Sequence, residues 1–93
     1  MKDFSKYSAI IIGAGDATGS ALTKKFANKG YKVCPVRRPR SIDKVNMLAE
    51  EINNNGGWAK GYGVDARDED SIKNLFDEVE NNVAPIDLSL IHI

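Results

Sequence analysis

The 93-residue chain is long enough for one small domain, and its 42% hydrophobic content is ordinary for a folded protein. Lys and Arg number 13 and so do Asp and Glu, and the resulting net charge of zero argues against a nucleic-acid binder working through a broad basic field. The longest purely apolar run, Ala9–Ile12, falls far short of the roughly 20 residues that span a bilayer. No signal-peptide core follows Met1–Ser8, and a lone cysteine, Cys34, offers no internal disulfide, so the expected compartment is the cytoplasm.

Apolar runs alternate with helical patterns along the chain, the mark of βαβ units and a parallel sheet. The first strand is expected at Ser8–Ile12, where β-branched residues without polar alternation suit a strand buried on both faces. A small-residue turn, Gly13–Gly19, leads into a helix over Thr18–Lys29. Its inward stripe would be Ala21, Leu22, Phe26 and Ala27, with Gly30 as the stop. Tyr31–Val36 is the second strand. Pro35 is a weakness in it, better placed near the strand's end, because proline cannot donate to a ladder.

Arg37-Arg38-Pro39-Arg40 reads as the next turn. Ser41 is positioned to cap a helix running to Asn54, with Ile42, Val45, Leu48, Ala49 and Ile52 facing inward. Asn53–Gly57 ends it. Trp58–Val64 is a third strand diluted by glycine, and Asp68 or Asp70 caps a third helix whose Ile72, Leu75, Phe76 and Val79 share one face. Pro85 breaks that pattern before a fourth strand, Ile86–Ile93. The predicted fold is α/β: a Rossmann-like parallel sheet of about four strands, ordered 3-2-1-4, with three helices.

The glycine turn gains its meaning from the buried strand before it and the helix after it. Glycine permits backbone angles closed to other residues and lets a phosphate approach the main chain. A helix N-terminus behind the turn offers unpaired N–H groups to a pyrophosphate. Read as G-x-G-x-x-G, Gly13 and Gly15 fit but Thr18 takes the last place. Read as G-x-x-x-G-x-G, Gly13 and Gly19 fit and Ala17 replaces the middle glycine, the smaller departure. Asp16 is awkward there unless it faces solvent or caps the helix. A tight turn that holds no ligand is the alternative.

About 20 residues after the glycines, a carboxylate would grip the ribose 2′-hydroxyl of NAD. Arg37 and Arg38 hold that place instead, and no carboxylate occurs between Asp16 and Asp43. Guanidinium groups pair bidentately with phosphate, which favours NADP over NAD; a solvated basic turn is the competing account. Asp65, at the rim where adenine would lie, is either an acceptor for the adenine amino group or a turn residue leading into the third helix.

These features resemble the N-terminal portion of the short-chain dehydrogenase/reductase family: the Gly13–Gly19 loop, the Arg37-Arg38 pair, the Val64-Asp65 step and Pro85-Ile86-Asp87. The resemblance spans Ser8–Ile93. It implies that the loop binds pyrophosphate, that the arginines select NADP, and that Asp65 contacts adenine. The candidate cofactor-binding set is Gly13, Gly15, Asp16, Ala17, Thr18, Gly19, Arg37, Arg38, Asp65 and Ala66, with no catalytic and no metal-ligating member.

In that family an Asn-Ala-Gly segment follows strand four, and a catalytic serine and a Tyr-x-x-x-Lys pair come later. Here Tyr7, Tyr31 and Tyr62 are followed four residues on by Ile11, Pro35 and Ala66, so no such pair is present. A tyrosine acid with a lysine to lower its pKa is what that chemistry needs. The chain is therefore expected to be the cofactor half of an NADP-dependent oxidoreductase, either truncated or dimeric through the sheet edge left uncovered. A non-catalytic dinucleotide-binding or regulatory module is the main alternative, and a structural domain binding nothing is the third. His92 reads as a structural strand-end residue and Cys34 as a buried, inert one.

Overall fold

Ser8–Ile12 (β1) lies at the centre of the sheet with all five residues buried. The computed structural model describes residues 3–13 and 17–91. Alternation along β1 sends Ala9 and Ile11 to one face and Ile10 and Ile12 to the other. A strand covered on both faces needs apolar side chains at every position, and an unbroken Ala-Ile-Ile-Ile run supplies them.

The remaining strands and α-helices are α1 (Ala17–Asn28), β2 (Lys32–Arg37), α2 (Ile42–Asn54), β3 (Trp58–Ala59), β4 (Tyr62–Gly63), α3 (Glu69–Asn82) and β5 (Ile86–Ile91). All strand pairings are parallel, in the order β3-β2-β1-β5, with β4 also against β2. This is the expected 3-2-1-4 order with its third strand in two pieces. Val45, Leu48, Ala49 and Ile52 of α2 pack with Ala9 and Ile11, joined by Phe26 and Ala27 of α1. Leu75 and Val79 of α3 pack on the opposite face, against Ile10, Ile12, Cys34 and Val36. Helices thus cover both faces, as right-handed crossovers require when the chain reverses direction after its third strand.

Five expectations are corrected. Pro35 sits within β2, fully buried, not at its end. Odd-numbered residues of β2 direct their backbone groups at the third strand, as the bonds Lys60 N–H to Val33 O (3.1 Å) and Val64 N–H to Arg37 O (2.7 Å) show. Pro35 therefore lacks the N–H that would have bonded the stretch between β3 and β4. The single strand expected over Trp58–Val64 is split there for that reason. Gly61 lies in the gap, where an added Cβ would stand 3.0 Å from the Val45 carbonyl carbon of α2.

Helix α1 buries Gly19 and Thr23, not the expected stripe; Leu22, Phe26 and Ala27 are half-buried and Ala21 is exposed. Thr23 tolerates the position because its hydroxyl donates to Gly19 O at 2.7 Å. Ser41 gives α2 no side-chain cap; a 3-10 turn over Pro39–Ser41 leads in instead. Arg37, expected in the turn, is the last residue of β2. Helix α3 is capped by Asp68, which accepts from Asp70 N (3.1 Å) and Ser71 N (3.3 Å).

Candidate functional site

The carboxyl ends of β1, β2 and β4 open into a cleft of about 1150 Å³, walled on one side by α3. In an open parallel sheet this is the edge where ligands bind, at the point where strand order reverses. Gly13 closes β1 with φ +93° and donates its N–H to Val36 O at 2.8 Å. The first glycine of the turn thus supplies a backbone angle that side-chain-bearing residues rarely adopt. Gly15 and Asp16 lie outside the described residues, as does His92. Ala17 and Thr18 are exposed at the start of α1, and Gly19 is buried one step further on.

Gly13, Arg37, Arg38, Asp65 and Ala66, all singled out from sequence, line this one cleft. Arg37 is half-buried and Arg38 exposed. The 2.7 Å bond from Val64 N–H to Arg37 O is the last rung between the two strands, and it seats Arg38 and Asp65 next to each other just beyond it. Neither Arg37 nor Arg38 makes an ion pair with a described residue.

Asp65 does have a partner. Its carboxylate accepts from the Arg67 backbone N–H at 3.0 Å, from Nε at 3.2 Å and from a terminal guanidinium nitrogen at 3.4 Å. These bonds hold the Asp65 carboxyl below its ordinary value, with the charges of Arg67 and Arg38 adding to the effect. Sequence reading missed this pairing, although the Asp-x-Arg spacing signals it. It missed two further contributions to the cleft. Lys73 adds positive charge to that of Arg40, already evident close behind the arginine pair, with Glu69 and Asp77 of opposite sign in the same lining. Ile72 and Phe76, expected only as core, give α3 an apolar wall there.

Outside the cleft, Tyr62 donates from its hydroxyl to the Glu78 carboxylate, above buried Cys34. Burial, then the nearby Glu78 charge, pushes the Cys34 thiol up to about 12. A second hollow of about 530 Å³ lies at the opposite edge of the sheet, between the carboxyl ends of α1 and α2 and away from the glycine turn. Among the described residues no group of three His, Cys, Asp or Glu side chains is placed to hold a metal ion. No helix among them is long and apolar enough to cross a membrane.

The family model described as short chain dehydrogenase matches residues 7–91, nearly all of the chain and every described part of the cleft. The chain belongs to the short-chain dehydrogenase family. It is 35% identical over 82 residues to sorbitol-6-phosphate 2-dehydrogenase of Escherichia coli, covering 86% of this chain and 31% of that protein. Two solved structures share the fold. An oxidoreductase from Haemophilus influenza with bound NAD superposes with a TM-score of 0.81 at 26% identity, covering 90% of this chain and 29% of that one. A metagenomic short-chain oxidoreductase in complex with NADP gives 0.85 at 24% identity, covering 95% of this chain and 39% of that one. The chain spans 26–31% of the length of the curated short-chain dehydrogenase relatives it matches.

Proposed function

We propose that residues 1–93 form one partial Rossmann domain, the NADP-binding portion of an oxidoreductase that moves hydride between NADP(H) and a carbonyl or hydroxyl substrate. The observation that carries this reading is the pair Arg37 and Arg38, set at the rim of the cleft without an ion pair to any described residue. A phosphate with two negative charges is the natural partner for two such guanidinium groups.

The residues fit the group. Gly13 gives the turn its reversal, and the start of α1 directs helix N–H groups toward a pyrophosphate. Gly15, Asp16, Ala17, Thr18 and Gly19 complete that loop in our reading. Ile72 and Phe76 supply an apolar wall against a base, and Asp65 with Ala66 meets its polar edge. Bound there, the dinucleotide supplies the hydride chemistry; the chain's own part is to bind, orient and select. The sequence contains no Tyr-x-x-x-Lys pair, so the proton-transfer groups of the family are outside the role assigned to these residues.

The outer edge of β5 carries no partner strand among the described residues. That supports pairing there with a second copy or with further strands of the same polypeptide. A single buried thiol suits a reducing compartment such as the cytoplasm. Titration of the chain with NADPH and NADH, followed by cofactor fluorescence, tests the proposal. Tighter binding of NADPH is the expected result. Binding of neither at millimolar cofactor overturns the nucleotide reading, and a preference for NADH overturns the role of the arginines.

A further inference from the structure

A cleft that selects a phosphate should not carry a free carboxylate beside its phosphate-binding groups, because repulsion would weaken the ligand it is built to hold. Asp65 is such a carboxylate. The last rung of the sheet, Val64 N–H to Arg37 O, leaves it adjacent to Arg38. Yet all three of its hydrogen bonds go to Arg67. Arg67 is otherwise exposed, with 75% of its side-chain surface open, and makes no other described ion pair.

We propose that Arg67 is a specificity-determining residue of the cleft: it occupies and neutralises Asp65, so that Arg38 stays available to a 2′-phosphate. This inference rests on the nucleotide reading above. It assigns Arg67 no direct contact with the ligand; its effect passes through Asp65.

The arrangement suits that role. The backbone N–H of residue 67 fixes one carboxylate oxygen in a local turn whatever side chain stands at 67. The Arg67 side chain then adds the opposite charge, drawn from the same loop and needing no other element to move. Without it, Asp65 has two ways to reduce phosphate affinity. It can pair with Arg38, whose charge already acts on it, or it can stay free and repel the ligand. Both lower the preference for NADPH over NADH, and any effect of Asp65 on the base, which the two cofactors share, cancels in that ratio.

The test is the ratio of NADPH to NADH affinity in the full chain, measured by cofactor fluorescence for the wild type, Arg67→Ala and the double variant Arg67→Ala with Asp65→Asn. The ratio should fall roughly two- to fivefold in Arg67→Ala, the effect expected of one exposed charge pair. It should recover in the double variant, where residue 65 no longer carries a charge to compensate. Asparagine keeps an oxygen for the residue-67 N–H, so the turn survives.

An unchanged ratio in Arg67→Ala overturns the proposal, and so does an equal loss for both cofactors. A ratio that falls but does not recover makes Arg67 a direct phosphate ligand and overturns it too. A second readout needs no cofactor. In Arg67→Ala the Asp65 carboxyl, followed by carbon-13 NMR, should titrate at higher pH than in the wild type; a titration that does not move removes the pairing on which the inference stands. If the wild type binds neither cofactor while this titration does move, it is the nucleotide reading that has failed, and the phosphate role of the pair falls with it.

Discussion

The hydroxyl of Tyr31 donates a 2.6 Å hydrogen bond to the carboxylate of Asp87, joining the entry to β2 with the start of β5 across the central strand. Register explains the meeting. Ser8 pairs with Ile86 and Ala9 with Leu88, so Asp87 is the extra residue of an irregular step. The Tyr31 ring is held by Phe4 at 4.8 Å and Phe26 at 6.0 Å between centroids. Tyr31→Phe keeps those ring contacts and removes the hydroxyl. It should destabilise the chain by about 1 kcal/mol, a fall in Tm of roughly 4–8 °C for a domain of this size. An unchanged Tm in a thermal melt would show that water replaces the bond at no loss.

The Tyr62–Glu78 pair makes stability depend on pH from both sides. The Tyr62 hydroxyl is the main cause holding the Glu78 carboxyl below its ordinary 4.5. That contribution is present above about pH 4.5 and is lost as pH falls through the lowered folded value. Burial, then the bond to Glu78, raises the Tyr62 phenol above its ordinary 10.0, so its contribution is present below pH 10.0 and fades as pH rises beyond it. Urea midpoints measured from pH 3 to 11 should vary less in Tyr62→Phe than in the wild type, at both ends. Asp3 and Asp65, also held low, leave part of the acid limb in place. Superimposable profiles for the two proteins would refute the coupling.

Cys34 should be inert while the chain is folded. A rise from 9.0 to about 12 leaves about a thousandfold less thiolate near pH 8. Ellman's reagent should therefore react at once in denaturant and only on the timescale of opening in buffer. Fast reaction of the native protein would contradict the buried placement.

Gly13→Ala places a side chain where φ is +93°. The strain should lower the urea-derived stability by about 1–2 kcal/mol and shift the turn that begins the cleft. No loss of stability would mean that the turn relaxes to a negative φ without consequence.

Arg37→Ala and Arg38→Ala should each weaken NADPH by about 1.5–3 kcal/mol, the range for a charge-assisted hydrogen bond, and leave NADH nearly unchanged. Isothermal titration of both cofactors decides it. Equal losses would count against a 2′-phosphate contact.

The parts legible in the sequence were those set by period and by local backbone chemistry. The β-branched run of β1 and the spacing of Val45, Leu48, Ala49 and Ile52 each dictate one buried arrangement, and each is found. Arg37, Arg38 and Asp65 were visible because topology alone brings strand ends to one edge. What stayed hidden depended on partners. Thr23 is buried because Gly19 O is within reach of its hydroxyl, and polarity alone argues for exposure. Arg67 drew no reading of its own, because what distinguishes it is a pairing with Asp65. Ile72 and Phe76 have the period of core residues, and only the position of α3 beside the strand ends turns them toward the cleft.

Pro35 removes one rung from the sheet, and that gap reaches beyond the molecule itself. The outermost strands are two-residue segments, Trp58–Ala59 and Tyr62–Gly63, with Lys60 standing in the break. A neighbouring chain seeking to extend the sheet on this side would find no continuous row of donors and acceptors, and a charge in the middle. The proline that interrupts the internal ladder thus guards this side of the sheet against adding strands from its own kind, a safeguard against aggregation.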